Sequence, residues 1–302
     1  MVAEMASTKE IKSHMESVGE TRKITNAMYL IASTKLRRAR LELDHTRPYF
    51  EALQGEIKRV FRTASDVDSH YFYPPDRTEL SEGTYGCLVI TADKGLAGSY
   101  NQNAIREAMA LLDQHPDTKL FVVGEYGRRY FTQHKIPIEH SFLYTAQNPT
   151  MARAREISAL LLDRFDCGEL KKIFVVYTDM ESSMSFRARS TRLLPFHRTY
   201  FADTAATEKN VTEPFEFVPG IREVLNSMMP SYVSGFIYSA LIDSFCCEQN
   251  ARMAAMDSAN QNAEKLMGEL SLQYNRVRQA GITQEITEVS AGAKAQRQKK
   301  ER

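Results

Sequence analysis

The two ends of this 302-residue chain, and not its middle, carry the longest helical patterns. One pattern runs from about Lys9 to Ala64, and the other runs from about Pro230 almost to the C-terminus. Both exceed the roughly 10–14 residues of an average helix in a globular protein. Two terminal helices that pack together would form a shaft, which is more typical of a mechanical or scaffolding protein than of an enzyme.

Apolar and small residues recur at alternating spacings of three and four along the N-terminal pattern, which is typical of a coiled-coil seam. This N-terminal seam consists of Ile11, Met15, Val18, Arg22, Thr25, Tyr29, Ala32, Leu36, Ala39, Leu43, Thr46, Phe50, Leu53, Ile57 and Val60. Because Arg22, Thr25 and Thr46 belong to the seam, a simple dimeric leucine zipper is not predicted. A second stripe at Ile24, Met28 and Ile31 predicts more than one neighbour for the helix, and Pro48 predicts a kink or an interruption.

The C-terminal pattern carries a similar seam, rich in alanine. Its members are Met256, Ala259, Ala263, Leu266, Leu270, Val277 and Ala280. Two seams of small residues in one chain indicate that the two helices pack on each other. An antiparallel coiled coil is expected, because the middle domain joins the top of one helix to the bottom of the other. Before this seam, residues 221–229 predict a short helix that Pro230 stops.

Between the terminal helices, apolar strands alternate with helices, which predicts the α/β fold class with a small Rossmann-like domain and a mostly parallel sheet. The strands are expected at Cys87–Thr91, Leu120–Val123, 136–142 and Lys172–Tyr177, with an edge strand at Ser185–Leu194 that runs antiparallel. The predicted organisation is an N-terminal coiled-coil helix at 5–66, a linker at 67–84, the α/β domain at 85–195, a connecting loop and short helix at 196–230, and the C-terminal coiled-coil helix at 231–302.

Composition excludes several classes of protein. A net charge of +1 gives no general argument for nucleic acid as a partner. The four cysteines form no CxxC pair and the histidines are scattered, so neither a disulfide framework nor a metal site is expected. The sequence contains no run of 18 apolar residues, so no membrane span is predicted. The N-terminus lacks the pattern of a signal peptide.

Three local patterns in the sequence could bind a ligand or a partner. The loop Thr91–Tyr100 follows a strand and precedes a helix, as phosphate-binding loops do, but it matches neither nucleotide motif; a tight turn that needs glycine is the favoured interpretation. The basic run Lys35–Arg40 predicts either an exposed helix face or a surface for an acidic partner. Polar residues on the C-terminal helix predict either a surface or hydrogen bonds to partner loops, and they are Glu248, Arg252, Gln279, Thr283, Glu285 and Glu288.

The residues resemble one family closely, the gamma subunit of the F-type ATP synthase in its bacterial form. The N-terminal stretch ASTKEIKSHMESVGETRKITNAM, continued by IASTKLRRAR, resembles the opening signature of that family. The C-terminal stretches ARMAAMDSANQNAEKLM and LQYNRVRQAGITQEITEVSAGA are similar to its ending, and DKGLAGSYN resembles its Gly-Leu-x-Gly turn. The resemblance covers nearly the whole chain.

The resemblance implies a rotor shaft inside a hexamer of alpha and beta catalytic subunits, with the epsilon subunit and the membrane c-subunit ring as further partners. It implies no catalytic residue, cofactor or metal on this chain, and membrane contact only through the complex, at the cytoplasmic face of the plasma membrane. Lys23 and Met28 match the family's contact with an acidic beta-subunit loop. The residues that match its polar contacts to the catalytic subunits are Arg252, Gln279, Thr283 and Glu285.

The chain departs from the family pattern at three places. Ala97 stands in the glycine turn where many members have cysteine, and Cys246–Cys247 stand where small residues are usual. The tail from Lys294 to Arg302 is basic rather than apolar. The alternative from another class is a static coiled-coil scaffold with an α/β docking domain, and an enzyme that uses the α/β domain is a third interpretation.

Overall fold

The structure is a computed structural model that describes residues 8–63, 69–73, 83–143, 146–180, 186–197, 201 and 217–300. The chain divides into two compact units. The coiled-coil unit combines the residues up to Ile31 with those from Met253 onward, and the sheet unit comprises residues 32–252. Much of the predicted linker 67–84 and of the connecting segment 196–230 lies outside the described residues, as do Ser185 and the last two residues of the tail.

A five-stranded sheet forms the centre of the sheet unit, in the order β3-β2-β1-β4-β5. Its strands are β1 (Tyr85–Ile90), β2 (Lys119–Val123), β3 (His140–Phe142), β4 (Lys172–Met180) and β5 (Phe186–Leu194). The first four strands pair in parallel and β5 pairs antiparallel to β4. The predicted α/β class, the mostly parallel sheet and the antiparallel edge strand are therefore confirmed.

Three helices connect the strands, namely α2 (Tyr100–Gln114), α3 (Glu125–Gln133) and α4 (Met151–Asp166). Every residue of β1 is buried, which explains its unbroken apolar sequence, because a central parallel strand is covered on both faces. Helix α4 begins after Thr150, whose hydroxyl accepts a hydrogen bond from the Arg153 backbone amide at 3.4 Å.

The terminal helices are α1 (Thr8–Thr63) and α5 (Ile221–Lys300), and both run through a proline. The prediction that Pro230 stops a short helix is wrong, and Pro48 does not interrupt α1. Around Pro230 the side chains of Leu225, Met229 and Val233 are fully buried at helical spacing. Burial of this continuous apolar face offsets the hydrogen bond that the proline cannot donate.

Within the coiled-coil unit, α1 and α5 run antiparallel, as predicted. Arg22 pairs with Glu264 at 2.9 Å, and the Thr25 hydroxyl donates to Asn260. The residue numbers of the contacts increase along α1 and decrease along α5, as they do between antiparallel helices. Ile11 at one end of the unit is 3% exposed.

The two predicted seams agree with burial to different extents. Of the fifteen seam positions on α1, all are buried or half-buried except Arg22. On α5 the predicted seam is wrong at two positions, since Leu266 is 37% exposed and Ala280 is exposed, whereas Met267 is half-buried. Burial recurs at 256, 260, 263, 267, 270, 274 and 277, a strict alternation of four and three. Asn260 and Tyr274 occupy this seam, although a pattern of aliphatic residues does not include them.

Candidate functional site

The glycine turn at the carboxyl end of β1 has the backbone conformation that the sequence predicts. Leu96 and Gly98 adopt φ values of 62° and 54°, in the left-handed region that favours glycine. The side chain of Ala97 is 2% exposed and packs with Tyr100, Cys247 and Ala251. Leu96 projects outward and is 64% exposed. The turn therefore anchors itself through Ala97 and presents an apolar tip.

The backbone donors at the start of α3 are occupied by the residues that lead into this turn. The Asp93 carboxylate accepts from the Glu125 amide at 2.9 Å, and the Ala92 carbonyl accepts from the Tyr126 amide at 3.0 Å. The Thr91 hydroxyl accepts from the Gly127 amide at 3.0 Å. In nucleotide-binding domains, amides of this kind at a helix N-terminus bind phosphate. Here a protein carboxylate takes that position at α3, whereas the helix that follows the glycine turn is α2, whose Tyr100 amide donates to the Ala97 carbonyl at 3.2 Å.

Close backbone packing reinforces this arrangement at Gly124. Its φ is 97°, and a Cβ atom there would lie 2.2 Å from the Thr91 carbonyl oxygen. A side chain at this position would push α3 away from the end of β1, so the glycine is required by packing between the two segments.

Arg252 is committed to contacts inside the sheet unit. Its guanidinium pairs with Glu248 one helical turn away and donates to the Gly95 carbonyl at 3.2 Å. Arg252 and Glu248 are 9% and 6% exposed, so the prediction of a surface position is wrong for both. Burial is the largest influence on Glu248 and raises the pKa of its carboxyl, while the Arg252 charge acts in the opposite direction. The pair thus ties the glycine turn to α5.

The two predicted contact residues on α1 lie in the coiled-coil unit. Lys23 is exposed and Met28 is half-buried. Next to them, Ile24 and Ile31 are 61% and 57% exposed. The second apolar stripe of α1 is therefore largely uncovered by this chain, and its role as a contact with another chain stays a prediction.

The remaining predicted contact residues lie together on α5. Gln279, Thr283 and Glu285 are exposed, and the Thr283 hydroxyl donates to the Gln279 carbonyl at 2.9 Å. The same part of the helix exposes large apolar side chains, namely Ile282 at 44%, Ile286 at 61% and Val289 at 73%. Polar and apolar groups thus alternate along a segment that this chain leaves accessible.

The basic run on α1 lies in the sheet unit with its charges outward. Lys35, Arg37, Arg38 and Arg40 are exposed, while Leu36 between them is 9% exposed. Both interpretations of this run require exposure, so the structure is compatible with a solvated face and with an acidic partner.

The described residues offer no candidate metal site, and their cysteines differ in accessibility, since Cys167 is exposed and the other three are buried. No group of three His, Cys, Asp or Glu side chains there could hold a metal ion. Cys87, Cys246 and Cys247 are buried, and burial raises the pKa of their thiols. None of the described helices is both long enough and apolar enough to cross a membrane.

Sequence reasoning missed a group of residues between α1 and α5 in the sheet unit. The Phe50 ring lies against Gly235, where a Cβ atom would come within 2.0 Å of a ring carbon. Asp243, about two helical turns beyond Gly235 on α5, is half-buried. A carboxylate among apolar neighbours on a helix is a signal of a functional residue that the sequence alone contains. The Phe50–Gly235 contact gives no such signal, because the two residues are far apart in the chain.

Comparison with known proteins gives matches over almost the full length. The family model described as ATP synthase matches residues 7–296. The ATP synthase gamma chain of Ruminiclostridium cellulolyticum is 38% identical over 289 residues, which cover 95% of this chain and 98% of that one. The ATP synthase gamma chain of Caldanaerobacter subterraneus is 39% identical over 292 residues, which cover 94% of this chain and 98% of that one.

A solved structure has a similar fold. It comes from the Euglena gracilis mitochondrial ATP synthase, in an assembly described as OSCP, F1 and c-ring. The TM-score is 0.69 at 16% sequence identity, with 95% of this chain and 94% of that chain covered.

Proposed function

The chain belongs to the ATP synthase gamma-chain family, whose members form the central rotor shaft of that enzyme, and from this premise we propose that it transmits rotation to the catalytic subunits without a catalytic site of its own. The observation that carries the proposal is the family match over residues 7–296, together with the antiparallel contacts of α1 and α5. ATP would be made on the beta subunits, driven by proton flow through the membrane ring.

Two features support the absence of catalysis on this chain. The amides at the start of α3 bind Asp93, Ala92 and Thr91 instead of a phosphate. Arg252 holds the glycine turn by donating a hydrogen bond to the Gly95 carbonyl. A phosphate bound to the Glu125 amide would have to displace the Asp93 carboxylate.

The proposed division of labour follows the predicted organisation. Segments 5–66 and 221–302 serve as the shaft, 85–195 as a docking domain, and 67–84 and 196–220 as connections, because α5 begins at Ile221 and not after residue 230. The proposed partners are the hexamer of alpha and beta subunits, the epsilon subunit and the c-subunit ring. The Euglena assembly, which includes F1 and a c-ring, supports this set by analogy.

The proposed contact surface with the hexamer includes Lys23 and Met28 on α1 and Gln279, Thr283 and Glu285 on α5. All but Met28 are exposed in this chain. Exposed polar groups suit a surface whose contacts break and re-form, because desolvation penalties stay small at each step. For Arg252 we propose that it acts through the glycine turn, which it positions, since the buried guanidinium has partners of its own.

The proposed location is the cytoplasmic face of a bacterial plasma membrane, with attachment through the complex. The bacterial sources of the two relatives support this placement.

Mutation of the α5 surface tests the proposal. In the assembled complex, the triple variant Gln279→Ala, Thr283→Ala and Glu285→Ala should reduce coupled ATP synthesis at least about fivefold, which corresponds to a loss of ~1 kcal/mol of interface energy. The matched control replaces Asp257 and Gln261 by alanine, two exposed residues elsewhere on the same helix that hydrogen-bond to each other at 2.9 Å. Unchanged synthesis in the triple variant would show that these residues are not the contact surface.

Purification distinguishes the rotor from the static scaffold. Extraction from host membranes should recover this chain in stoichiometric amounts with alpha, beta and epsilon subunits. Recovery alone or with unrelated proteins would favour the scaffold. A complex that assembles but shows no rotation of this chain relative to the hexamer would also favour it.

A further inference from the structure

A cavity of about 320 Å³ lies between α1 and α5 within the sheet unit. It forms beside the contact of Phe50 with Gly235, where the ring stands directly on the backbone of α5. The volume falls at the lower end of the range for small-molecule sites, roughly 300–1,000 Å³. The cavity is therefore large enough for a small organic molecule.

Aromatic side chains form much of the cavity wall. Phe50 contributes from α1, and Tyr232, Phe236 and Tyr238 contribute from α5. Tyr238 is 4% exposed, and the Phe236 ring packs edge-on against Tyr177 at 6.1 Å, so part of the wall is held in place by the core behind it. Aromatic faces attract cations and pack against apolar groups.

The carboxylate of Asp243 also lines the cavity and has no cationic partner among the described residues. Its hydrogen bond comes from the Ser239 hydroxyl at 3.4 Å. The two nearby arginines are engaged elsewhere, since Arg47 pairs with Glu51 at 2.8 Å and Arg189 pairs with Asp179. Arg47 and Glu51 also line the cavity and pair with each other, so among the described lining residues Asp243 is the carboxylate without an ion pair.

Each element packed near Asp243 contributes charged or titratable groups. They are Arg40, Arg47 and Glu51 from α1, Tyr177 and Asp179 from β4, Arg189 from β5, and Tyr232, Tyr238, Cys246 and Cys247 from α5. Burial and then the Asp179 charge raise the pKa of Asp243 to about 6, while Ser239, Arg47 and Arg189 act in the opposite direction. At neutral pH the carboxylate is therefore charged, and a cation placed beside it would relieve an unfavourable environment.

We propose that this cavity binds a small amphipathic ammonium ion, with its apolar group among the aromatic rings and its charged nitrogen against the Asp243 carboxylate. The aromatic wall provides cation–π attraction as well as apolar contact. A neutral molecule of the same shape would gain the apolar contact and lose both electrostatic contributions. An anion would meet Asp243 at close range and is disfavoured.

The proposal is tested on the full-length chain by isothermal titration calorimetry with phenethylamine and with its neutral near-isostere 2-phenylethanol. At pH 7.5 the amine should bind at least about tenfold more tightly than the alcohol, the effect expected of an ion pair partly removed from solvent. Asp243→Asn should remove this preference, and so should a pH of 5, at which Asp243 is mostly protonated.

Asp257→Asn is the matched control. Asp257 is an exposed carboxylate on the same helix that hydrogen-bonds to Gln261 at 2.9 Å and does not line the cavity. This variant should retain the preference for the amine. Equal binding of amine and alcohol to the wild-type chain would overturn the proposal, as would a preference that persists in Asp243→Asn or at pH 5.

Discussion

Helix α5 has the same secondary structure in both units but very different surroundings. In the sheet unit, Leu225, Met229, Val233, Ile237, Leu241 and Ile242 are at most 2% exposed. In the coiled-coil unit, Met256 and Leu270 are its buried apolar residues, and every described side chain from Ala280 onward is exposed. Packing on several sides holds the first portion, whereas a single seam holds the second. The second portion therefore keeps most of its surface available for other chains.

Ion pairs show the same contrast. Arg252 and Glu248 in the sheet unit have side chains 11% and 8% exposed, whereas Arg22 and Glu264 in the coiled-coil unit have side chains 50% and 65% exposed. Removal of one partner from a buried pair leaves a charge without solvent, while exposed charges are simply hydrated. Equivalent substitutions in the two units should thus have unequal effects.

The largest difference is expected for the arginines. Arg252→Ala should lower the free energy of unfolding by about 3 kcal/mol, because Glu248 stays buried without its partner. Arg22→Ala, the matched control, should cost less than about 1 kcal/mol. Urea denaturation at pH 7 measures both. Equal losses would contradict the contrast between the units.

The effect of Arg252→Ala should also depend on pH. Burial raises the pKa of Glu248, so the folded state takes up a proton more readily than the unfolded state as pH falls. Loss of the Arg252 charge strengthens this tendency. The destabilisation should therefore be smaller at pH 5 than at pH 8, and a larger loss at pH 5 would show that Glu248 is not the cause.

Glycine positions on α5 provide a second pair. Gly235→Ala should cost about 2 kcal/mol, because the new methyl group would lie 2.0 Å from a carbon of the Phe50 ring. Gly268→Ala in the coiled-coil unit meets no atom within 4 Å and should stabilise the helix by about 0.5–1 kcal/mol. Thermal or urea unfolding should show a lower free energy of unfolding for Gly235→Ala and a higher one for Gly268→Ala. A stabilising effect of Gly235→Ala would contradict the contact between Phe50 and Gly235.

Asp243 should make the sheet unit sensitive to pH. Its pKa of about 6 exceeds the ordinary value of 3.8, so the folded state binds the proton first and stability from this group rises as pH falls from 7 towards 4. Asp243→Asn should raise the free energy of unfolding at pH 7 by about 2 kcal/mol. The gain should shrink as pH approaches 4. A gain that is independent of pH would assign the effect to something other than titration.

The smallest effect is expected at the exposed end of α5. Ile286→Ala should change the free energy of unfolding by less than about 0.5 kcal/mol, because the side chain is 61% exposed. The matched substitution Leu270→Ala removes a side chain that is 7% exposed and should cost about 2 kcal/mol. A large effect of Ile286→Ala on the isolated chain would indicate that this segment packs within the chain.

Periodic patterns alone determined much of this protein. The 3-4 spacing from Ile11 to Val60 predicted the buried face of α1, because a helix repeats its faces at that interval whatever it packs against. Apolar runs such as Leu120–Val123 predicted buried parallel strands for the same reason of regular geometry. The long motifs at both ends identified the family.

Tertiary structure decided the features that depend on which segments meet. Pro230 continues α5 because a buried face spans it, and Arg252 is internal because the Gly95 carbonyl and Glu248 lie beside it. The place of Phe50 on Gly235 and the charge balance around Asp243 likewise arise from distant residues. Local spacing records which face of an element is apolar, but burial of a polar group depends on the neighbours that the fold brings to it.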